Sequence, residues 1–530
     1  MPNGLEQVAA PGTRWLDYSV WTLALWASFL NLLNFNHYPL LRPEVGITLL
    51  GLALVGTLMG TAQHVARPRL AFLVAALFAV VTIDLNARIE LNWLYAIGVG
   101  LAVIGFFALD ALLKITLAAA GAVLLFQLAI PATGIGAPRA DENEAENLQT
   151  PDSLGSERPA IVHLVLDSYL GLDGMALGPD EYRELRAEQA DFFTGRGFQL
   201  YPRAYSRHSS TLNSLPQLFS YGEAWPAVRN VNPQYAVPEE LPYFADLDRH
   251  GYRISAVLPA YFDLCVRQKL THCRKFESSA LASMLGTELG ALDRAKVFGF
   301  TMLNLGGLTA RVALVLQLGL NELLDDTGRL PFNRSELYPL TSLAELDRFT
   351  SGLADLERGE VRFAHLLLPH DPYMLNPDCS VKPEAEWLDE HGPGAEDARE
   401  EAYADQVRCL QRRLGEMLDA LGRTEAGREA IVLIHGDHGS RISPAQPRLH
   451  GPELTPRQML MTYSAFFAVR VPGEPAAETA GAHPIDALMA GFRDRDFASA
   501  PRPLAAPARV TILDSNKVPQ TWRPLPDFAP

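Results

Sequence analysis

"AIVHLVLDS" (Ala160–Ser168) is a short apolar run without helical period, and it ends in Asp167. Three later runs repeat the type: "RISAVLP" (Arg253–Pro259), "RFAHLLLP" (Arg362–Pro369) and "AIVLIHGD" (Ala430–Asp437). Longer helical patterns lie between them, such as Pro238–His250 and Glu400–Leu421. Near-continuous apolar strands separated by helices predict an α/β sandwich with a largely parallel sheet. No internal repeat is visible. In such sheets, ligands gather beyond the carboxyl ends of the strands. Three strand ends carry suitable chemistry: "VLDS" with Asp167, "LLLPHDPY" with His370 and Asp371, and "LIHGDHG" with Asp437 and His438.

Towards the N-terminus the character changes. Five apolar stretches stand out: Tyr18–Leu33, Val45–Ala62, Leu70–Ile83, Leu91–Leu109 and Leu112–Ile130. Several approach the roughly 20 residues that cross a bilayer core. No small-residue cleavage site follows the first, so it reads as a span and not as a cleaved signal peptide. With the N-terminus inside, Arg14, Arg67, Arg69 and Lys114 fall on the cytoplasmic side, and Arg42 and Arg88 outside. That bias and an odd number of spans put everything after Ile130 outside, in the periplasm or at the cell surface of a bacterium. Asp84, Arg88 and Glu90 then sit at the outer end of spans three and four, where a solvated flank is the expected reading and contact with a lipid headgroup the alternative. From Thr133 to Pro159 the chain is acidic and rich in Gly and Pro, which suits a flexible connector. The expected division is therefore residues 1–131 in the membrane, 132–159 as linker and 160–530 as the extracytoplasmic domain.

Lys+Arg of 45 against Asp+Glu of 61 leaves a net charge of −16, which argues against a nucleic-acid partner. Four cysteines occur, none in a CxxC pair. Outside the cytosol, proximity favours Cys265–Cys273 and Cys379–Cys409, although four cysteines allow three connectivities. A cytosolic location would keep all four reduced.

Asp and His suit zinc, which takes carboxylate oxygen and imidazole nitrogen. Asp437 and His438 would face opposite ways in a regular strand. The flanking Gly436 and Gly439 permit a turn that aims both at one ion. A second stretch, "SRHSSTLNSLPQLFSYG" (Ser206–Gly222), supplies hydroxyls ahead of Pro216. Proline fits the first turn of a helix, so a helix should begin near Thr211–Leu215. A hydroxyl there lies at the positive end of the helix dipole, a natural phosphate site. It serves either as a plain cap or, once activated by metal or base, as a nucleophile.

The ordered set "LVLDS … STLNSLP … LLLPHDPY … GDHG … LHG" resembles the alkaline phosphatase and sulfatase-like superfamily. With the five spans, the chain looks like the membrane-anchored phosphoethanolamine transferases that modify lipid A; lipoteichoic acid synthases are a related comparison. The resemblance implies a five-helix transmembrane bundle followed by an α/β/α sandwich. It implies Thr211, five residues before Pro216, as nucleophile and fourth metal position. It implies Asp167, Asp437 and His438 as ligands of Zn2+ (or Mn2+ or Mg2+), and His370 and His450 as groups that bind the transferred phosphate or a second metal, or move a proton. A phospholipid headgroup of phosphoethanolamine or phosphoglycerol type would pass through a phospho-threonine to an envelope glycan or lipid, with the enzyme a monomer in the bacterial inner membrane.

Departures are visible. Asp167 stands where the transferases usually carry Glu, and their cysteines around the nucleophile are missing. Leu218 stands where the C/S-x-P-x-R motif of sulfatases needs arginine, against sulfatase activity. Acceptor recognition is expected to differ at Asp263–Phe276 and around Met374–Glu386. A sulfatase-like hydrolase or phosphodiesterase is the alternative. An inactive membrane sensor or scaffold would have a broken ligand set, yet Asp167, Thr211, Asp437 and His438 are all present.

Overall fold

The computed structural model describes residues 14–66, 71–87, 91–133, 157–178, 180–222, 228–232, 235–305, 336–389, 396–440, 442–443, 454–502, 506–513 and 519–528. The chain divides into two compact units, Met1–Arg139 with Met284–Ser335, and Ala140–Ser283 with Glu336–Pro530.

In the first unit, apolar sequence makes long helices: α1 (Arg14–Phe35), α2 (Pro43–Val65), α3 (Ala71–Ala87) and α4 (Leu91–Thr133). The backbone of α4 breaks at Ala108, so the described residues from Arg14 to Thr133 hold five helical segments, one for each apolar stretch of the sequence. Helix α1 packs on α2 and α4, and α3 packs on α4. Polar side chains join them: Trp21 Nε1 donates to Gln63 Oε1 at 2.8 Å, and Gln127 Nε2 to Asn31 Oδ1 at 2.7 Å. Interhelical hydrogen bonds of this kind hold helices together where no hydrophobic force separates helix from lipid.

The outside of this unit is apolar. Leu50, Leu54, Leu58, Phe106, Phe107 and Leu125 are all largely exposed, Phe107 to 80%. Two helical stretches, Pro43–Val65 and Ala111–Ala129, are long and apolar enough to cross a membrane, and only 22% of each apolar window is buried. A soluble core helix hides its apolar residues; these present them outward, as a hydrocarbon-facing surface does. One expectation is corrected here. Asp84 is fully buried in the last turn of α3 instead of lying on a solvated flank. Arg88, Glu90 and the linker lie outside the described residues.

The second unit is built on an eight-stranded sheet. Its strands are β1 (Ile161–Leu166), β2 (Gln199–Leu200), β3 (Arg253–Pro259), β4 (His272–Phe276), β5 (Glu360–Leu366), β6 (Ile431–Gly436), β7 (Phe467–Arg470) and β8 (Ala477–Glu478). Their order is β8-β2-β7-β6-β1-β5-β3-β4. Strand β7 is antiparallel to both neighbours, and every other pair is parallel. The four apolar runs of the sequence are four adjacent strands, β6-β1-β5-β3, and β1 and β6 are buried along their whole length. Strands covered on both faces have no reason to alternate. Phe466 and Phe467 mark the two layers, since neighbours along a strand point to opposite faces. Phe466 stacks on Tyr169 and meets Phe193, while Phe467 joins the core beneath helix Thr211–Phe219.

That helix carries Leu215, Leu218 and Phe219 on one stripe, all buried. Phe219 packs against His163, Tyr243, Phe244 and Phe363. Removing such a ring from a closed core costs about 3–5 kcal/mol, so the stripe fixes the helix on the sheet. Both disulfides form as proximity suggested, Cys265–Cys273 and Cys379–Cys409. The second staples the Met374–Glu386 segment to helix Glu396–Leu421.

Met284–Ser335 groups with the N-terminal helices because helix Ala291–Leu305 packs on α2 and α3.

Candidate metal centre and nucleophile

The parallel register decides which side chains meet. Val165 of β1 lies opposite His365 of β5 and His435 of β6. Residues two apart share a face, so His163, Phe363, His365, Leu433 and His435 face the same layer, beneath helix Thr211–Phe219. Asp167 and Asp437 follow at the strand ends. Asp167, His365 and Asp437 each offer a ligand atom within 4.8 Å of the others, and all three are buried.

His438 completes the set. Its Nε2 lies 3.5 Å from Asp167 Oδ1 and 3.5 Å from Asp437 Oδ2. Four ligands about 2 Å from a zinc ion stand roughly 3.3 Å apart along each tetrahedral edge, close to this spacing. The hydrogen bonds leave the right atoms bare. Asp437 Oδ1 accepts from the backbone N–H groups of Ser168 at 3.1 Å and His438 at 2.8 Å, while Oδ2 has no hydrogen-bond partner. His438 Nδ1 lies 2.8 Å from the carbonyl of Gly439, so it carries the proton and donates; Nε2 keeps its lone pair. Both nitrogens of His365 also lack hydrogen-bond partners. Burial lowers the pKa of His365 below the usual range, opposed by the carboxylates of Asp167 and Asp437, and the neutral ring is the ligating form. Orphaned buried atoms of this kind carry a desolvation cost that a cation offsets. The donor set therefore fits a divalent ion.

The two glycines act differently from the expectation. Neither has a positive φ. A Cβ on Gly436 would stand 2.4 Å from the carbonyl oxygen of Tyr169, and one on Gly439 2.1 Å from that of Met461. They allow close backbone approach, and the strand simply ends at Gly436, freeing Asp437 and His438 from alternation.

Helix Thr211–Phe219 begins at Thr211, the residue expected as nucleophile. Thr211 is 5% exposed, and its Oγ1 donates to Asp167 Oδ2 at 3.2 Å. Ser210 holds the N-cap position without a side-chain capping bond, so simple capping does not explain the hydroxyls. Pro216 lies in the helix interior, one turn further along than expected. Ser214 Oγ donates to the carbonyl of Asp437 and lies 2.9 Å from Ser206 Oγ. Helix Thr211–Phe219 is thereby tied to the loop that carries Asp437.

His370 stands in the loop after β5, with Nδ1 2.7 Å from the Asp371 carbonyl and 3.0 Å from its carboxylate. It lies near enough to oppose protonation of His365. His450 lies outside the described residues. Three residues escaped the sequence reading. His365 was hidden inside an apolar strand, and its only signal was an imidazole two residues after Phe363. Ser168 has φ 64°; besides its N–H bond to Asp437, its Oγ donates to Asp167 Oδ1 at 3.0 Å. Tyr261 reaches Asp167 Oδ2 at 3.5 Å, and burial holds its hydroxyl protonated, helped by Asp167 and Asp437.

Below the site runs a directed chain. His435 Nδ1 donates to the Gly436 carbonyl at 2.9 Å, so in the neutral ring Nε2 accepts from His163 Nε2 at 2.7 Å. His163 Nδ1 then accepts from the Tyr243 hydroxyl at 2.7 Å. Burial pushes the His435 pKa down to about 4, which keeps it neutral.

Sulfatases and phosphoethanolamine transferases are among the solved structures similar to this chain. The phosphonate monoester hydrolase of Agrobacterium radiobacter is 12% identical, covering 68% of this chain and 82% of its own, with a TM-score of 0.41. The C-terminal periplasmic domain of EcEptC from Escherichia coli, in complex with Zn, is 12% identical over 68% of this chain and 91% of its own, TM-score 0.39. The integral membrane lipooligosaccharide phosphoethanolamine transferase A from Neisseria meningitidis is 13% identical over 90% of this chain and 94% of its own, TM-score 0.35. No protein-family model and no curated protein matches the chain. These likenesses are distant, and the chemistry below rests on the site geometry.

Proposed function

We propose that the chain is a membrane-anchored, metal-dependent phosphotransferase that carries a phospho-headgroup from a phospholipid to an envelope glycan or lipid through Thr211. The observation that carries this reading is the bond from Thr211 Oγ1 to Asp167 Oδ2, in a buried cluster whose remaining ligand-type atoms, Asp437 Oδ2 and His438 Nε2, are unpartnered. Asp167, Asp437, His438 and His365 would hold the cation. A divalent ion there lowers the pKa of a nearby hydroxyl and neutralises phosphoryl oxygens.

The residues of the chain do the rest. Thr211 Oγ attacks phosphorus; the O–P bond forms as the bond to diacylglycerol breaks, and the lipid alkoxide takes a proton. His370, whose Nδ1 is held by the Asp371 carbonyl and carboxylate, is assigned to proton transfer through Nε2, with His450 as its counterpart. The acceptor hydroxyl then displaces Thr211 from the phosphoryl group and takes the headgroup. The helix N-terminus favours the anionic phosphate at Thr211. Leu218 is buried in the apolar core, which supports a phosphoryl reading over a sulfatase one. An apolar outer surface on the N-terminal unit supports an inner-membrane, multi-pass location beside the lipid donor, and the two disulfides support an oxidising compartment.

The test is mass spectrometry of envelope lipids and glycans from cells expressing the wild-type chain or Thr211→Ala. Headgroup-modified species that vanish in the variant are expected. Free headgroup with no modified acceptor would make the enzyme a phosphodiesterase, and unchanged modification in the variant would remove Thr211 from the mechanism.

A further inference from the structure

Helix Ala291–Leu305 interrupts the catalytic unit and belongs to the membrane unit. Its inner face is fixed by specific contacts. Arg294 Nη1 donates to Glu44 Oε1 at 3.2 Å, and Tyr38 donates to the same oxygen at 2.5 Å. Arg294 Nη2 also donates to the Thr287 carbonyl at 2.8 Å. Glu44 and Arg294 are both buried. Phe298 is fully buried between Tyr38, edge-on at 4.9 Å, and Phe29 at 5.6 Å. These partners lie at the end of α1 and the start of α2, around Arg42, on the side that the charge pattern of the sequence assigns to the outside.

The outer face of the same helix has a second character. Leu292 is 61% exposed and Leu303 44%. They are eleven residues apart, about 20° of arc at 100° per residue, so they share one stripe. Exposed Lys296 lies between them, beside Asp293. Exposed leucines around a lysine, on a helix fixed to a lipid-facing bundle, have the pattern of a helix lying in the headgroup layer.

We propose that Met284–Leu305 is a second membrane attachment of the catalytic chain, clamped to the bundle through Arg294 and Phe298 and presenting Leu292 and Leu303 to lipid. The chain leaves the catalytic unit after Ser283 and rejoins it at Glu336, so this attachment is independent of the linker before Pro159.

The experiment places a protease site within residues 140–156 of the full-length protein, in native membranes. After cleavage the membranes are washed in high salt and sedimented. The fragment that starts beyond the cut is expected to stay in the pellet, with no loss relative to uncut protein. Its release into the supernatant overturns the proposal. In the same assay the double variant Arg294→Ala, Phe298→Ala is expected to release the cut fragment, and Leu292→Glu, Leu303→Glu to release part of it. Retention of the double variant at the wild-type level overturns the clamp. Thermal melting of the released fragment shows whether it is folded. Should the double variant fail to insert, Glu44→Gln, which keeps size and removes charge, must lower retention for the clamp to stand.

Discussion

Two regions of this chain violate the ordinary rule of burial, in opposite directions. The N-terminal unit turns Leu50, Leu54 and Phe107 outward. The carboxyl end of the sheet turns Asp437, His438 and His365 inward, each with ligand-type atoms that have no hydrogen-bond partner. Taken singly, an exposed leucine is ordinary and a buried aspartate is usually paired. Gathered on one surface or around one point, each signals the medium it is built to meet: hydrocarbon for the first, a cation for the second. The comparison teaches that function is written here in what each region leaves unsatisfied by its own chain.

Four substitutions or treatments would break or sharpen that contrast. The largest effect is expected at Thr211. Thr211→Ala should lower turnover by on the order of 10⁴-fold or more, as loss of a covalent nucleophile does, while thermal stability changes little; headgroup transfer in purified protein measures it. Next, Leu54→Arg should oppose membrane insertion by about 2.5–3.5 kcal/mol, read as protein lost from carbonate-washed membranes. The same change at a helix facing water would be silent, so unchanged recovery contradicts a lipid-facing α2. Third, chelation should lower the melting temperature of the catalytic unit, since a ligand present at about 100 times its Kd stabilises by about 2.7 kcal/mol. Asp437→Asn should melt at the chelated temperature with or without metal, and a chelator-insensitive wild type would contradict the site. The smallest is Ser168→Gly. Glycine accepts the positive φ and keeps the N–H bond to Asp437, so the change isolates the hydroxyl on Asp167. Metal affinity should fall about 10–100-fold, the usual weight of an outer partner, measured by competition with a chromogenic chelator.

The strand ends were legible because they are local. An apolar run that stops at "DS" or "GDHG" announces both a strand and what lies at its end, and the four runs are four adjacent strands of the sheet. The helix start at Thr211 was legible from Pro216, although Pro216 itself lies deeper in the helix than its type suggested. His365 was not legible, because only the pairing of Val165 with His365 brings it to Asp167, and register is a property of two distant segments. The role of Ser168 is not legible either, since nothing in a sequence marks a serine for positive φ. The placement of Ala291–Leu305 was hidden for a related reason: an amphipathic pattern says that a face is buried and not against which unit.

The detour of the chain through the membrane unit changes how the catalytic unit could be isolated. Its two ends are already held together within that unit, where Thr341 Oγ1 donates to the Ser278 carbonyl at 2.8 Å and the Leu337 N–H to Ser279 Oγ at 3.4 Å. A truncation that begins at Ala160 keeps the excursion and carries its bundle-facing side, Phe298 included, into water. Joining Ser283 directly to Glu336 through a few glycines would replace a 52-residue detour (Met284–Ser335) with a surface turn. That shortcut is expected to leave a water-soluble unit, from a chain whose order of residues intermixes two solvents.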